Sequence, residues 1–433
     1  MIDIQFIRDN PELVEEKAKQ KGVAVDVKQL LGFDKERREL LIQVEEKRRQ
    51  RNEHAALFKK TKGTTSQENI DKGKVLKDEL TDLEHKLDAI ELQFTELLKQ
   101  IPNMPLDEIP VGTTEEDNKV AEEVGQPKDL GFKPKSHIEI GEAKDWIDKK
   151  RAAKVAGSRF VYLKGNLVRL EMALMQYGID RLTDSAFIKK VADKYKLEVS
   201  DKPFTPVLPP ALAKTEIYEA TARLDKEETT YKLADDELWL NASAEHTLVP
   251  MHQGETFAAK ELPLRYVGYT TAFRREAGSY GKDTEGIIRL HQFNKLEMES
   301  FSTAEAGQEE HKFLIALQRE LVEELDIPYQ LIQKCTADIG GPNASGWDIN
   351  SWMAGQGAYR ETHTADYMTD YQARRLKTKY KDESIKPKLV HTNDATVFAE
   401  RTLIAIVENN QTKEGDVLVP KALQKYMGGK DKI

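Results

Sequence analysis

Residues 273–297 read FRREAGSYGKDTEGIIRLHQFNKLE, and the rest of the chain is best interpreted outward from them. Arg274 and Glu276 flank one residue on what reads as an extended segment, so their side chains share a face. Gly278, Gly281 and Gly286 have the spacing of a long hairpin loop. On the returning segment Arg289, Phe293 and Glu297 recur every four residues, which on a strand keeps all three on one side. Guanidinium groups match phosphate oxygens, a carboxylate accepts from an adenine amino group, and an aromatic ring stacks on a base. The pattern is that of a nucleoside triphosphate pocket on an antiparallel hairpin, without a glycine-rich Walker loop. A surface hairpin laced with exposed salt bridges would use the same residue types, each adding little to stability.

The order FRxE, a loop, then RxxxFxxxE resembles motif 2 of the class II aminoacyl-tRNA synthetases. The wording EAGSYGKDTEGIIRLHQF at 276–293 is similar to its seryl-tRNA synthetase version. The other features of the chain bear on that resemblance one by one.

A chain of 433 residues is long enough for two or three domains. It is 39% hydrophobic and 33% charged, with no apolar run long enough to span a bilayer. The first residues, MIDIQFIRDNPELVEEK, lack the basic leader and apolar core of a secretory signal. The lone cysteine, Cys335, excludes an intrachain disulfide and a cysteine-rich zinc site, and reads as a packed small side chain. These features predict a cytoplasmic protein with no membrane partner. The net charge of −9 argues against general nucleic-acid binding, DNA included, but residues 47–77 hold ten Lys/Arg against three Asp/Glu. A basic region on an acidic body is the footprint of a docking surface for a polyanion.

Residues 1 to about 22 read as a short amphipathic helix with Pro11 near a helix start. A charged helical segment follows from about Val27 to Thr61, with Leu30, Phe33, Leu40, Val44 and Phe58 apolar and Arg37 interrupting the seam. Thr65 and Glu68 form a capping box for the next helix, in which Leu76, Leu80, Leu83, Leu87, Ile90, Phe94, Leu97 and Ile101 alternate steps of four and three. Two long helices joined by a tight loop predict an antiparallel coiled-coil hairpin over about 27–100, each arm on the order of 50 Å. By itself such a hairpin suits a dimerisation or spacer element. Its basic tip shifts the reading towards an RNA backbone, through Arg48, Arg49, Arg51, Lys59, Lys60, Lys62, Lys72 and Lys74. Seryl-tRNA synthetases carry such an N-terminal hairpin, which grips the variable arm of their tRNA, and residues 1–110 resemble it.

Residues 101–118 are proline-rich and acidic, a linker leading into a catalytic domain over 111–433. Glu305 to Leu325 reads as a solvent-facing helix. Phe204-Thr-Pro-Val-Leu-Pro-Pro, within about 197–212, resembles motif 1, whose helix and strand form the dimer interface of the class; its prolines suit a sheet edge. Ser243-Ala244-Glu245 matches the TxE loop that contacts the amino acid, with serine keeping the hydroxyl. His246 and His252 lack the further ligands of a metal site and read as structural. Asp348-Ile-Asn-Ser-Trp-Met-Ala-Gly-Gln resembles DLExWxPGQ, with Asn350 for Glu and Ala354 for Pro. Tyr359-Arg-Glu-Thr-His-Thr364 resembles YREISS, and Thr369 to Arg375 matches TDFQARR, although Asp366-Tyr-Met departs from the usual SNC. Residues 393–411 resemble motif 3; there NG[ST] becomes Asn393-Asp394-Ala395, with Thr396 beside it, and Glu400 stands for a glycine before Arg401.

The resemblance implies an α+β fold: an antiparallel sheet flanked by helices, preceded by the coiled-coil arm. It implies serine–tRNA ligase activity, with L-serine, ATP with Mg²⁺, and tRNA(Ser), in the family also tRNA(Sec), as partners, and a homodimer. Carried over residue by residue, Arg274, Glu276, Arg289 and Arg401 are catalytic. ATP falls to Arg274, Arg275, Glu276, Phe293, Arg401 and the run Glu361-Thr362-His363-Thr364, of which Glu361 and Thr364 hold the magnesium. Serine falls to Ser243, Ala244, Glu245, Arg274, Glu297, Asn393 and Ala395. Three rivals compete: an altered paralogue that binds RNA or protein without aminoacylation, an aminoacyl:carrier-protein ligase, and a coiled-coil scaffold. The intact charged residues of the ATP pattern oppose the first, and the arm and the single cysteine the second. Motif 2 opposes the third.

Overall fold

The computed structural model describes residues 1–60, 66–224, 229–276 and 286–433, with 58–60 described by backbone alone. It divides into two compact units, Met1–Met104 and Pro105–Ile433.

The first unit is all helix. Where one helix is expected over the first 22 residues there are two, α1 (Ile4–Asp9) and α2 (Pro11–Gln20). Pro11 offers no N–H to continue α1 and instead takes the first turn of α2. Helices α3 (Val27–Lys60) and α4 (Gln67–Gln100) form the antiparallel pair: Lys47 reaches Glu79 while Arg37 lies over Phe94. Leu40, Val44, Leu80 and Leu87 are buried along the seam. Arg37, which breaks the apolar pattern, places its guanidinium 4.5 Å from the centre of the Phe94 ring, so it closes the seam as a cation over an aromatic face. Ser66 caps α4 by accepting from the Asn69 N–H; Thr65, expected to form the capping box with Glu68, lies outside the described residues. The buried Asp34 carboxylate accepts from Arg8 at 2.7 and 2.9 Å and from Arg38 at 3.1 Å, tying α1 to α3.

The second unit is built on an eight-stranded sheet. Its strands are β1 (Lys119–Val124), β2 (Thr205–Val207), β3 (Leu264–Phe273), β4 (Gln292–Ser302), β5 (Tyr329–Gln333), β6 (Ser345–Met353), β7 (Ala358–Thr369) and β8 (His391–Ala399). Their order is β1-β5-β6-β7-β8-β4-β3-β2, and every pairing is antiparallel except β2 with β3. Pro206 therefore sits on an edge strand, where its missing N–H costs no ladder bond. Side chains alternate along each strand. Leu296 and Met298 of β4, with Ala395 and Val397 of β8, join the apolar core. Helices α5 (Asn166–Leu182), α6 (Ser185–Tyr195), α7 (Gly307–Glu324) and α8 (Glu400–Asn409) contribute to the same core. The expected antiparallel sheet with flanking helices is what the chain forms.

Helix α7 is the main departure. Expected to face solvent, it is buried along Phe313, Leu314, Leu317 and Leu321, and several of its polar residues are buried too. Those groups are spent on the sheet: Glu310 accepts from Arg265 at 2.6 and 2.9 Å, and Gln318 Nε2 donates to the carbonyls of Thr364 and Thr396, both at 2.8 Å. A polar residue on a helix signals water only when no buried partner waits for it.

Candidate active site

The polar face of the sheet forms the floor of a cavity of about 570 Å³, the size of a small-molecule site. The β3–β4 hairpin supplies one wall. Its ladder ends at the pair Phe273–Gln292, so Arg274, Glu276 and Arg289 lie beyond the strands that were expected to hold them. They converge nonetheless. The Arg274 N–H donates to the His291 carbonyl at 3.0 Å, and its guanidinium lies 5.2 Å from the centre of the Phe293 ring. Glu276, in the left-handed region at φ 50°, accepts from Arg289 at 2.8 Å. All four line the cavity. Gly278 and Gly281 lie outside the described residues.

Arg401 enters from the first turn of α8 and donates to the Glu361 carbonyl at 3.0 Å, with the Glu361 carboxylate 3.3 Å away. Glu361 and Thr364, both on β7, line the same space. A bulge opposite Ile349–Asn350 turns Thr362 to the cavity edge, but its hydroxyl is engaged by Ser351 at 2.7 Å and the Ile349 carbonyl at 3.1 Å. His363 does not reach the cavity: its ring is buried, 6.0 Å from Phe398. Arg275 is exposed, with its N–H donating to the Thr229 carbonyl at 3.0 Å, and it does not line the cavity either.

The far end holds the Ser243–Glu245 loop. It can lie close on β3 because Gly268 has no side chain: a Cβ there would come 2.6 Å from Leu248 Cδ1. Ser243 donates to the buried Glu297 carboxylate, which also accepts the Glu245 N–H at 3.2 Å and pairs with Lys295. Glu245 accepts from Arg223 at 2.8 Å and from Gln372 at 3.0 Å. Ala244 is fully buried behind the loop. Asn393 and Ala395, assigned to serine by resemblance, point away from the cavity: Asn393 donates to the Gly307 carbonyl at 3.2 Å and Ala395 joins the core. The cause is strand alternation, which presents Asp394 and Thr396 instead.

Residues 1–105 match the profile of the seryl-tRNA synthetase N-terminal domain, and residues 229–410 that of the tRNA synthetase class II core domain (G, H, P, S and T). The serine–tRNA ligase of Thermodesulfovibrio yellowstonii is 38% identical over 438 residues, covering 99% of each chain. That of Nitrosopumilus maritimus is 34% identical over 100% of each. The chain belongs to the seryl-tRNA synthetase family. Among solved structures, the seryl-tRNA synthetase of Pyrococcus horikoshii complexed with ATP matches with a TM-score of 0.88 at 36% identity, covering 100% of this chain and 99% of that one. The serine–tRNA ligase of Naegleria fowleri in complex with AMP matches with a TM-score of 0.83 at 27% identity.

The family's motifs left several cavity residues unassigned: Arg223, Lys295, Lys334, Asp366, Asp394 and Glu400. Three of them, Asp366, Asp394 and Glu400, stood out in the sequence as departures from the family pattern. Arg223, Lys295 and Lys334 carried no signal, since a lone cation outside a motif reads as surface. Desolvation and the Glu171 charge raise the Glu400 carboxyl well above the usual range, and its Oε1 accepts the Asn294 N–H at 2.5 Å. Burial, with Arg223 nearby, lowers the His246 imidazole to about 3, so it stays neutral within 3.3 Å of the Tyr218 hydroxyl.

Proposed function

We propose that the chain activates L-serine with ATP and transfers the seryl group to tRNA(Ser), as a serine–tRNA ligase. One observation carries the reading. Arg274, Glu276, Phe293 and Arg401, all of the family's ATP pattern, share one cavity with Ser243, which donates to Glu297 of the serine pattern. The substrate carboxylate attacks the ATP α-phosphorus in line, forming one P–O bond as the bond to pyrophosphate breaks. The terminal ribose hydroxyl of the tRNA then attacks the seryl carbonyl, and AMP leaves. No protein nucleophile is needed, so the residues position and neutralise. Arg274 sits over Phe293 where it can hold the α-phosphate while the ring stacks on adenine. Arg289 and Arg401 take the outer phosphates, and Glu276 the adenine amino group.

Glu361 and Thr364 offer two hard oxygens on one strand face, and among the described residues no group of three His, Cys, Asp or Glu could hold a metal ion by itself. That fits Mg²⁺, which is bound through one or two protein oxygens plus phosphate oxygens and spreads the phosphate charge. Glu297 accepts the serine hydroxyl. Alanine would leave this buried carboxylate a partner short, which supports rejection on the order of 10⁴.

The arm's basic residues are assigned to tRNA phosphates. The exposed Leu208 and Leu212 beside β2 support pairing of two chains through this edge, and sedimentation would show a dimer. No helix among the described residues is long and apolar enough to cross a membrane, in keeping with a cytoplasmic location. Serine-dependent ATP–pyrophosphate exchange, with alanine, threonine and cysteine in parallel and no tRNA, tests the reading. Exchange with serine alone is expected; exchange with none of them would overturn it.

A further inference from the structure

A row of carboxyl groups runs across three strands of the sheet, and two of its members, Asp366 and Asp394, line the cavity. Asp366 on β7 pairs directly with Asp394 on β8, which pairs directly with Glu299 on β4. Like charges opposite one another on neighbouring strands repel, and all three residues are at least nine-tenths buried. Asp366 Oδ1, Asp394 Oδ1 and both Glu299 oxygens have no hydrogen-bond partner among the described residues. Nearby cations do not close the gap: Arg223 Nη2 stands 3.7 Å from Asp394 Oδ1 and Lys334 Nζ 4.0 Å from Asp366 Oδ1. The fold leaves room for this row. Gly346 lies opposite Asp366 on β6, and a Cβ there would come 2.7 Å from Asp366 Oδ1.

Charge matching around the cavity shows what is missing. Arg223 is held at 2.8 Å by Glu245, Lys295 is paired with Glu297, and Lys334 lies 3.6 Å from Asp348. Asp366 and Asp394 both line the cavity and lack a close cation of their own. A buried carboxyl without a close partner is costly, so a site that holds two side by side takes up either a proton or a cation between them. A serine bound beside Glu297 brings one positive group, its α-ammonium. Glu245, the carboxylate of the loop assigned to the amino acid, already carries the Arg223 guanidinium and the Gln372 amide on one oxygen.

We propose that the Asp366–Asp394 pair, not Glu245, seats the α-ammonium of the amino-acid substrate in this chain. The proposal rests on the reading of the cavity as a serine-activating site and assigns its amino subsite. The two sequence departures, Asp366 for serine and Asp394 for glycine, are then one device: they meet across adjacent strands, with Arg223 diverted to Glu245. Burial and the neighbouring Glu245 and Asp366 charges raise the Asp394 carboxyl well above the usual range, so without a cation it favours holding a proton, which an arriving ammonium would displace.

The test uses the full-length enzyme and two probes: serine in ATP–pyrophosphate exchange, and 3-hydroxypropanoate, which lacks only the amino group, as a competitive inhibitor. Asp394→Asn is expected to raise the serine KM about 100-fold and Asp366→Asn at least about 10-fold. The inhibition constant of 3-hydroxypropanoate and the KM for ATP should stay within about threefold in both. Because each variant removes a buried like-charge contact, the ligand-free protein should melt no lower than the parent, which separates lost binding from lost folding. Parallel weakening of serine and 3-hydroxypropanoate would mark a structural role and overturn the proposal. So would an unchanged serine KM in both variants, with the ammonium then left to Glu245. Absence of serine-dependent exchange in the parent enzyme would instead remove the reading on which the proposal rests.

Discussion

The helical arm and the cavity use the same charged residues to opposite ends. In the arm, Lys47 pairs with Glu79 at 2.6 Å, Arg48 with Glu84 at 2.7 Å, and Arg49 with Glu46 and Glu53 at 2.8 and 3.2 Å. These pairs lie in solvent, where each is worth a fraction of a kcal/mol and salt screens it. The cations can therefore trade a glutamate for a phosphate at little cost. In the cavity wall Glu245, Asp394 and Glu400, and behind Ser243 Glu297, are nearly or fully buried, and each must be matched by a hydrogen bond, a cation or a proton. The same side chain is an adaptable contact in one unit and a fixed selector in the other. Dielectric environment separates the two.

Breaking the cavity side should cost most. Arg274→Ala removes the guanidinium assigned to the α-phosphate, and kcat/KM for serine-dependent exchange should fall about 10³-fold; a loss under tenfold would return Arg274 to a purely structural role. Glu297→Gln keeps the shape but not the charge that accepts from Ser243. We expect a loss of about 10²-fold with serine and weaker rejection of alanine, read from the two exchange rates.

The buried histidines give the cavity unit a pH signature. Burial holds His246 near 3 and His363 near 4 in the folded state, against about 6.5 unfolded. The unfolded chain thus binds more protons than the folded one between those values. Stability is fully present above about pH 6.5 and falls as pH drops towards about 4, on the order of 3 kcal/mol for His363. Denaturant midpoints across this range should fall accordingly, and His363→Gln should flatten the slope; a flat profile in the parent would contradict the buried neutral form.

Changes to the arm should be milder and salt-dependent. Replacing the exposed Arg51, Lys72 and Lys74 by alanine should weaken tRNA binding and reduce the slope of log K against log salt by about 2 to 3, whereas an unchanged slope would free these residues of phosphate contact. The smallest effect belongs to Lys47→Ala. Loss of its exposed pair with Glu79 should change unfolding free energy by less than about 1 kcal/mol, and a larger loss by chemical denaturation would show that the arm's surface pairs do more than the comparison allows.

Much of this was legible locally. The alternating steps of four and three from Leu76 to Ile101 announced a helix with one apolar seam, because helix periodicity needs only neighbours in sequence. The family resemblance of residues 273–297 named an ATP pattern of which Arg274, Glu276, Arg289 and Phe293 do converge, while Arg275 does not. Local reading failed where a partner was remote. Helix α7 was read as solvent-facing because Glu310 and Gln318 look wet until Arg265 and the Thr364 and Thr396 carbonyls are placed beside them. Asn393 and Ala395 were assigned by position in a motif, and strand alternation turned both into the packed face.

The sequence by itself determined the arm, the hairpin pocket and the kind of chemistry the chain performs, since each rests on residues within one short segment or one period. Only the tertiary structure decided which side of each strand faces substrate, and that Asp366, Asp394 and Glu299 from three strands form one row. Register between distant strands is set by the packing of the whole sheet, and a shift of one residue would send the row into the core.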